Sequence, residues 1–557
     1  MTAVRTERAR LRGAAAVDAV RAGTSRLAEV RPLYVVGAFV LVEWLVTLAV
    51  ALTVRHNGWL YYQGGDQVWF YTESWFLRHA QLVPPTVIGY GWSLLLLPFT
   101  LFSGPDLLHA LPAILLLNTL VLMPVAVVAM YGIGRRLGGR LFGYWVVLLW
   151  IVVPLVGIKY ADAGYHQRYT EEALPQGLGL TAYADFPSMV MLAVSAYFFI
   201  RALQGRAWED GMLAGAFAGF GIGIKPSSSV FLVGIALALV AARHRRAAVS
   251  FALGLAPAVV ALAVWKWRGL GYLPLFHAAP AARLALATGS APLGALNLHR
   301  YLHLLDWGQF QRNLDSLREH FWSLRVVEWL VVAGLVALAR HSRTALLLVG
   351  GWFAAFAIVK GSYTYASFDN GSLFRFLIPA IPPFVLLLAA LPLLLPGART
   401  RLPSVAPPQE WGTPRLRLTL VAAALGLFAV VPLALAGVTR PTVPDTPPQI
   451  VNATGPLPDT VAVHVAVHGR RVTLDWPAEH SAPRVFYQVT RASPGCLTSQ
   501  ALDACLQEVA RLRTPRWTDT LTRGRWAYRV TVSANWLDDP GHGDPYLISR
   551  PLPVTIR

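Results

Sequence analysis

The chain has 557 residues, of which 55% are hydrophobic and only 14% charged. A soluble protein carries roughly a quarter charged residues, so lipid or buried protein is the solvent for most of this one. The formal charge is +19, from 48 basic and 29 acidic residues. No long basic run or nucleic-acid motif accompanies it, which argues against nucleic acid as a partner and for the Arg and Lys excess of cytoplasmic loops in polytopic membrane proteins.

The N-terminus carries Arg5, Arg8, Arg10 and Arg12, and no small-residue cleavage site follows the first apolar segment. Residues 1–32 therefore read as a basic cytoplasmic N-terminus, and the first helix as a retained anchor. Apolar segments of spanning length follow near 33–54, 108–132, 141–158, 186–203, 210–226, 228–242, 247–265, 325–340, 344–360, 376–396 and 418–438. They predict a multi-pass α-helical membrane domain over 33–438, with about eleven transmembrane helices. The stretch "GWSLLLLPFTLF" at 91–102 is apolar but short and interrupted by Pro98; it reads as an interfacial or re-entrant piece.

With the N-terminus inside, each inner connection is basic: Arg135, Arg136 and Arg140; Arg201 and Arg206; Arg243, Arg245 and Arg246; Arg340 and Arg343; then Arg399, Arg401, Arg415 and Arg417. The outer loops are longer, aromatic and mixed in charge, which places the C-terminus outside. Glu43 falls within the first span, where an ionisable group is costly; a neutral, hydrogen-bonded role between helices is expected. The glycines of "GAFAGFGIGIKPS" (215–227) are read as permitting close helix packing, not as a nucleotide loop. In the outer segment 266–324, "LHRYLHLLDWGQFQRNLDSLREHFWSL" has the spacing of an amphipathic helix on the bilayer or over a site.

Past the last span, 439–456 is a linker opening with the Pro/Thr-rich "TRPTVPDTPP", semi-extended by composition. Period-2 alternation then marks strands in "VAVHVAVH" (461–468), "RVTLDW" (471–476), "RVFYQVTR" (484–491), "RWAYRVTVSA" (525–534) and "PLPVTIR" (551–557). Residues 457–557 thus predict an extracytoplasmic all-β sandwich. The segments "VTLDWPA", "VFYQVTR" and "GRWAYRVTVSANW" resemble a fibronectin type III domain, with Trp476 like its core tryptophan and Tyr528 like the tyrosine of its later strand. Cys496 and Cys505, the chain's two cysteines, fall in an insertion between strands. A structural disulfide closing that loop is expected there, since two cysteines alone make a poor metal site.

Four charged residues fall at the same predicted membrane face. Asp66 stands in "GGDQ" of the first outer loop, Asp185 in "ADFPS" where the fourth helix begins, Lys225 in "IKPSS", and Arg375 in "FRFLIPAIPP". A carboxylate can accept the proton of an attacking hydroxyl, and Arg or Lys can neutralise a departing phosphate. This set suits transfer from a lipid-phosphate donor that arrives through the bilayer, with no nucleotide motif required.

The pattern resembles the GT-C superfamily of membrane glycosyltransferases, notably bacterial relatives of the protein O-mannosyltransferases and aminoarabinose transferases. It rests on "GGDQVWFYTESWFLRHAQLVPPTVIGYGWSLLLLPF", "LPAILLLNTLVLMPVAVVAMYGIGRRLGGR", "ADFPSMVMLAVSAYFFIRAL", "GAFAGFGIGIKPSSSVFL" and "FRFLIPAIPP", in that order over about residues 30–400. The resemblance implies an inverting transfer from a polyprenyl-phosphate sugar to a glycan, lipid or protein acceptor at the outer face of a bacterial plasma membrane. By it, Asp66 is the catalytic base, Asp185 positions sugar or acceptor, and Lys225 and Arg375 hold the lipid phosphate. Glu73, His166 and Arg168 are further candidates for sugar or acceptor contact, the last two in the outer loop "GYHQRYTEE" (164–172). Many members carry two adjacent acids in the first loop, whereas here Gln67 follows Asp66; a divalent metal (Mg or Mn) stays an open alternative, and the departure puts both it and a division of roles between paired acids in question. Two other functions fit the same helices: a transporter or lipid flippase, or a non-catalytic anchor whose β domain binds carbohydrate or protein.

Overall fold

A computed structural model describes residues 30–53, 66–82, 89–104, 107–161, 169–170, 173–205, 208–270, 273, 302, 305–321, 324–364, 366–368, 372–395, 412–441, 461–478, 485–497, 507–534 and 544–557. Each of the eleven apolar segments expected from sequence is helical. The helices that matter below are α1 (Pro32–Thr53), α2 (Asp66–Arg78), α3 (Tyr90–Leu96), α4 (Leu107–Leu117), α5 (Met123–Tyr160), α6 (Asp185–Gln204), α7 (Trp208–Ile224), α8 (Leu232–Ala242), α9 (Arg245–Leu270), α10 (Trp307–His320), α11 (Leu324–His341), α12 (Arg343–Gly361), α13 (Ser372–Leu377), α14 (Ile381–Ala389), α15 (Pro414–Leu425) and α16 (Val431–Val438). Among the described residues, seven helices are long and apolar enough to cross a membrane by length and composition.

That number is smaller than eleven because neighbouring helices run together or are short. Residues Ala110–Tyr160 form one apolar run, broken at Gly138 and Gly139. Gly139 has φ +86°, which a residue with a Cβ adopts only at a cost. The chain doubles back there: a Cβ added to Gly134 would lie 2.9 Å from the Cα of Gly143. The basic cluster Arg135, Arg136 and Arg140 sits at this turn.

Two π-turns interrupt the apolar helices, Asn118–Leu122 after α4 and Gly426–Val430 between α15 and α16. Such turns shift the backbone register and leave a carbonyl for an outside donor. Trp44 Nε1 donates to Thr119 O at 2.7 Å in the first, and Tyr90 Oη to Phe428 O at 2.6 Å in the second. Of the stretch 91–102, Gly91, Trp92, Ser93, Leu94 and Leu96 of α3 are buried in protein, while Leu101 and Phe102 at its far end are exposed. The packing of α7 on α9 follows the small-residue reading, since a Cβ on Gly219 would come 2.6 Å from that of Ala258.

After α16 a short parallel pairing joins β1 (Gln81–Leu82) to β2 (Arg440–Pro441). The C-terminal residues form two further sheets. One has the order β3 (His464–His468), β4 (Arg471–Asp475), β7 (Arg516–Thr520); the other runs β10 (Leu552–Ile556), β8 (Gly524–Ala534), β5 (Val485–Ala492), β6 (Gln507–Leu512), with β9 (Asp544–Ile548) also on β8. Alternate residues of both sheets, including Val472, Leu474, Tyr487, Val489, Tyr528, Val530, Val554 and Ile556, meet in one core with Trp476. The expected all-β sandwich is therefore present, with Trp476 and Tyr528 buried in it. A polar tie crosses that core: Asp519 of β7 accepts from Arg491 of β5 at 2.5 Å and from Tyr528 of β8 at 2.7 Å.

Candidate functional site

Asp185 opens α6 and is buried. The backbone before it is held by side chains from three other elements. Ala182 N donates to Gln67 Oε1 at 2.9 Å, Trp92 Nε1 donates to Ala182 O at 2.7 Å, and Asn118 Nδ2 donates to Thr181 O at 2.9 Å. Lys225 follows α7 in an extended conformation (φ −136°, ψ 102°), as expected of a residue before proline, and this takes its side chain out of the helical path. Lys225 Nζ pairs with Asp185 Oδ1. The second carboxylate oxygen faces Arg375 Nε at 3.9 Å.

Three of the four residues singled out from sequence are thus brought together around one carboxylate. Their setting is aromatic. The Arg375 guanidinium lies 4.6 Å from the Tyr183 ring centroid and 5.5 Å from that of Phe376, while Lys225 Nζ is 5.2 Å from Phe376. Cation–π attraction at such distances is worth about 0.5–2 kcal/mol, more as water is excluded. Asp185 exposes 3% of its side chain, against 17% for Lys225 and 15% for Arg375. The cations therefore form the accessible rim, and the carboxylate lies beneath them. Removing the carboxylate would leave cations that nothing in the charge balance was built to hold, a change that typically costs about 3–5 kcal/mol for a buried pair.

Lys360 was not expected from sequence and belongs to the same cluster. It ends α12, is buried, and places Nζ 5.8 Å from Phe376 and 5.4 Å from Tyr363. A signal was present: on the predicted topology this helix runs outward, so its last lysine shares the face of Lys225 and Arg375. Gly361, Ala366 and Phe368, which lie between Lys360 and Arg375, are tied to α10. Asn313 donates to Gly361 O at 2.9 Å and Ala366 O at 2.8 Å, and accepts from Phe368 N at 3.1 Å. The amphipathic helix expected within 266–324 therefore packs on the site region through a polar hub.

Asp66 is the first residue of α2; its side chain lies outside the described residues. Its neighbour Gln67 is buried and anchors α2 to Ala182, just ahead of Asp185. Glu73, further along α2, is buried deep in the helix packing. It accepts from Ser93 Oγ at 2.5 Å and Trp265 Nε1 at 3.2 Å, with the Lys266 ammonium nearby. Burial raises its carboxyl to about 7. The Trp265–Lys266 contribution was not legible in the sequence. Glu43 is paired with Gln176 Nε2, at 3.1 and 3.2 Å to its two oxygens, the interhelical partnership expected of it. His166, Arg168 and Cys505 lie outside the described residues, as does the side chain of Cys496. Among the described residues no three His, Cys, Asp or Glu side chains stand together as a metal site. A carboxylate surrounded by cations does not suit a divalent metal.

Comparison with known proteins bears on this same region. Residues 176–267 match the sequence model of the dolichyl-phosphate-mannose-protein mannosyltransferase family. The matched segment, about a sixth of the chain, carries both Asp185 and Lys225. No curated protein matches the sequence. Among solved structures, similarity is found to the oligosaccharyltransferase AglB of Archaeoglobus fulgidus, in complex with an inhibitory peptide and a dolichol-phosphate (TM-score 0.40, 13% identity, 74% of this chain and 56% of that one). ArnT of Cupriavidus metallidurans bound to undecaprenyl phosphate is also similar (TM-score 0.40, 14% identity, 73% of this chain and 76% of that one). The chain thus spans just over half the length of the archaeal protein.

Proposed function

We propose that the chain is an integral-membrane glycosyltransferase that moves a sugar from a polyprenyl-phosphate donor to an extracytoplasmic acceptor. The observation that carries this reading is the convergence of Lys225 and Arg375 on Asp185, at helix ends and within reach of solvent. A carrier would place such groups near the middle of its spans. Here Asp185 is the first residue of α6, Lys225 follows the last of α7, and Arg375 lies in the short α13.

The chemistry is a single displacement with inversion. An acceptor hydroxyl attacks the anomeric carbon while the bond from that carbon to the phosphate oxygen breaks. The hydroxyl proton passes to the Asp66 carboxylate, and the electron pair stays on the lipid phosphate, which leaves as a monoester. Lys225 and Arg375 neutralise that phosphate, and Asp185 holds both cations in place while positioning sugar or acceptor. The resemblance and the charge pattern support an outer-face site in a bacterial plasma membrane, with the N-terminus inside and the fibronectin-like domain outside.

The test is turnover of a panel of polyprenyl-phosphate sugars by detergent-purified protein. Asp66→Asn is expected to reduce turnover by at least about 10²-fold, the usual scale of a lost general base. Unchanged turnover would remove Asp66 from that role; no turnover of any donor by the native protein would count against the glycosyltransferase reading itself.

A further inference from the structure

We infer that Lys360 is a third phosphate-facing cation, and that it serves the phosphate mainly as it leaves. The inference rests on the glycosyltransferase reading above. Its observation is the arrangement around one ring: Lys225 Nζ, the Arg375 guanidinium and Lys360 Nζ lie 5.2, 5.5 and 5.8 Å from the centroid of Phe376. Phe376 carries no acceptor that a cation could close upon, so it spaces the three groups around an apolar centre, while the Asp185 carboxylate pairs with Lys225 and faces Arg375.

Depth distinguishes them. Lys225 and Arg375 keep part of their side chains exposed, whereas Lys360 is 4% exposed. A phosphate arriving from the lipid side meets the two rim cations first and the Lys360 ammonium beneath them. The donor is a phosphodiester with a single negative charge. When the anomeric C–O bond breaks, its electron pair becomes charge on the phosphate oxygen, and the product monoester carries about −1.5 to −2 at neutral pH. A preplaced cation behind the rim gains most from this added charge, so its contribution is larger for the departing phosphate than for the bound donor. Tyr363 covers Lys360 on another side at 5.4 Å, and the Asn313 contacts fix the chain that follows it.

The inference is tested without knowing the sugar, using farnesyl monophosphate and its methyl phosphodiester as probes of the two charge states. Both are titrated into full-length protein in detergent. Native protein should bind the monoester more tightly, and Lys360→Met should lose about tenfold in monoester affinity with little change for the diester. Lys360→Arg should retain most of the preference. Lys360→Gln provides the same comparison should the Met variant fail to fold. Equal losses for the two probes, or an unchanged ratio, would overturn the assignment of Lys360. Native protein that binds neither probe would instead sink the lipid-phosphate reading on which the assignment stands.

Discussion

The hydroxyls of Ser188 and Ser228 lie 2.7 Å apart in the protein interior, each three residues beyond a charged member of the site, Asp185 and Lys225. Ser188 Oγ also donates to Gly221 O at 3.0 Å. A hydroxyl has one proton, so Ser228 must be the donor between the two. This chain of bonds fixes the start of α6 against the end of α7. Ser188→Ala should cost about 1–3 kcal/mol, because it leaves the buried Ser228 hydroxyl without its acceptor and takes one of two donors from Gly221 O, which then keeps only the Lys225 N–H. It should also weaken farnesyl monophosphate binding by loosening the Lys225–Asp185 pair. A Ser188→Ala/Ser228→Ala double variant should lose less than the sum of the single losses in thermal melting. Strictly additive losses would mean that the hydroxyls act separately.

Asn313 tests the scaffold on the other side of the cluster. Asn313→Ala removes three hydrogen bonds to the chain between Lys360 and Arg375, which should cost about 2 kcal/mol or more. Asn313→Asp should be no better. A carboxylate could still accept from Phe368 N, but it would face the carbonyls of Gly361 and Ala366 with no proton to donate. Melting in detergent gives the stability, and the monoester-to-diester affinity ratio reports whether the cations have moved. A variant with native melting and a native ratio would show that α10 does not set this geometry.

Glu73 predicts a pH dependence. Its carboxyl is raised by burial from 4.5 to about 7, so between these values the folded state binds more protons than the unfolded state. Stability then falls as pH rises, being fully present below the unfolded value and lost through the folded one. Melting temperature should decrease from pH 5 to pH 8, and Glu73→Gln should flatten this slope. The amide can accept from Trp265 or Ser93 without carrying a charge into the interior. An equally steep slope in the variant would show that another group is responsible.

In the C-terminal sandwich, Asp519 is the one acceptor for Arg491 and Tyr528 in the facing sheet among the contacts described above. Asp519→Ala strands a half-buried guanidinium and should cost about 2–4 kcal/mol, read as faster proteolysis of residues beyond 457. Activity on a lipid-phosphate sugar should survive if the catalytic work belongs to the helical domain. Loss of turnover together with intact membrane-domain melting would tie the sandwich to catalysis.

Much of the helical fold was legible because apolar runs are long and uninterrupted, and the sandwich strands betray themselves by period-2 alternation. Asp185, Lys225 and Arg375 stood out because charge at a helix end among apolar residues is rare enough to ask for a reason. Lys360 is chemically alike, but "FAIVKGSY" reads as the tail of a hydrophobic helix, and only the fold brings it to Phe376. Glu73 and Lys266 come together across 193 residues of sequence, a separation that no local pattern reports. The basic connections expected on the inner side hide a similar fact. Arg201 is buried against Asp210 at 3.1 Å and Arg417 faces Glu209 at 3.6 Å, so these arginines brace helices. The burial of α3 at the start of 91–102 was not legible, because a buried helix and an interfacial one have the same apolar composition; only its close approach to Gly223 and Ile224 of α7 reports it.

Gln67 occupies the place where many proteins of the resembling family carry a second acid. Its amide oxygen receives the Ala182 N–H, while its nitrogen is buried with no partner among the described residues. An acid at this depth would gain and lose a proton with conditions, and its grip on Ala182 would change with each exchange. An amide has no such freedom. The link from the helix that Asp66 opens to the turn that presents Asp185 is therefore electrically silent, and it stays the same whether the medium is acidic or alkaline. The protonation of Glu73, further along the same helix, does not act through this contact.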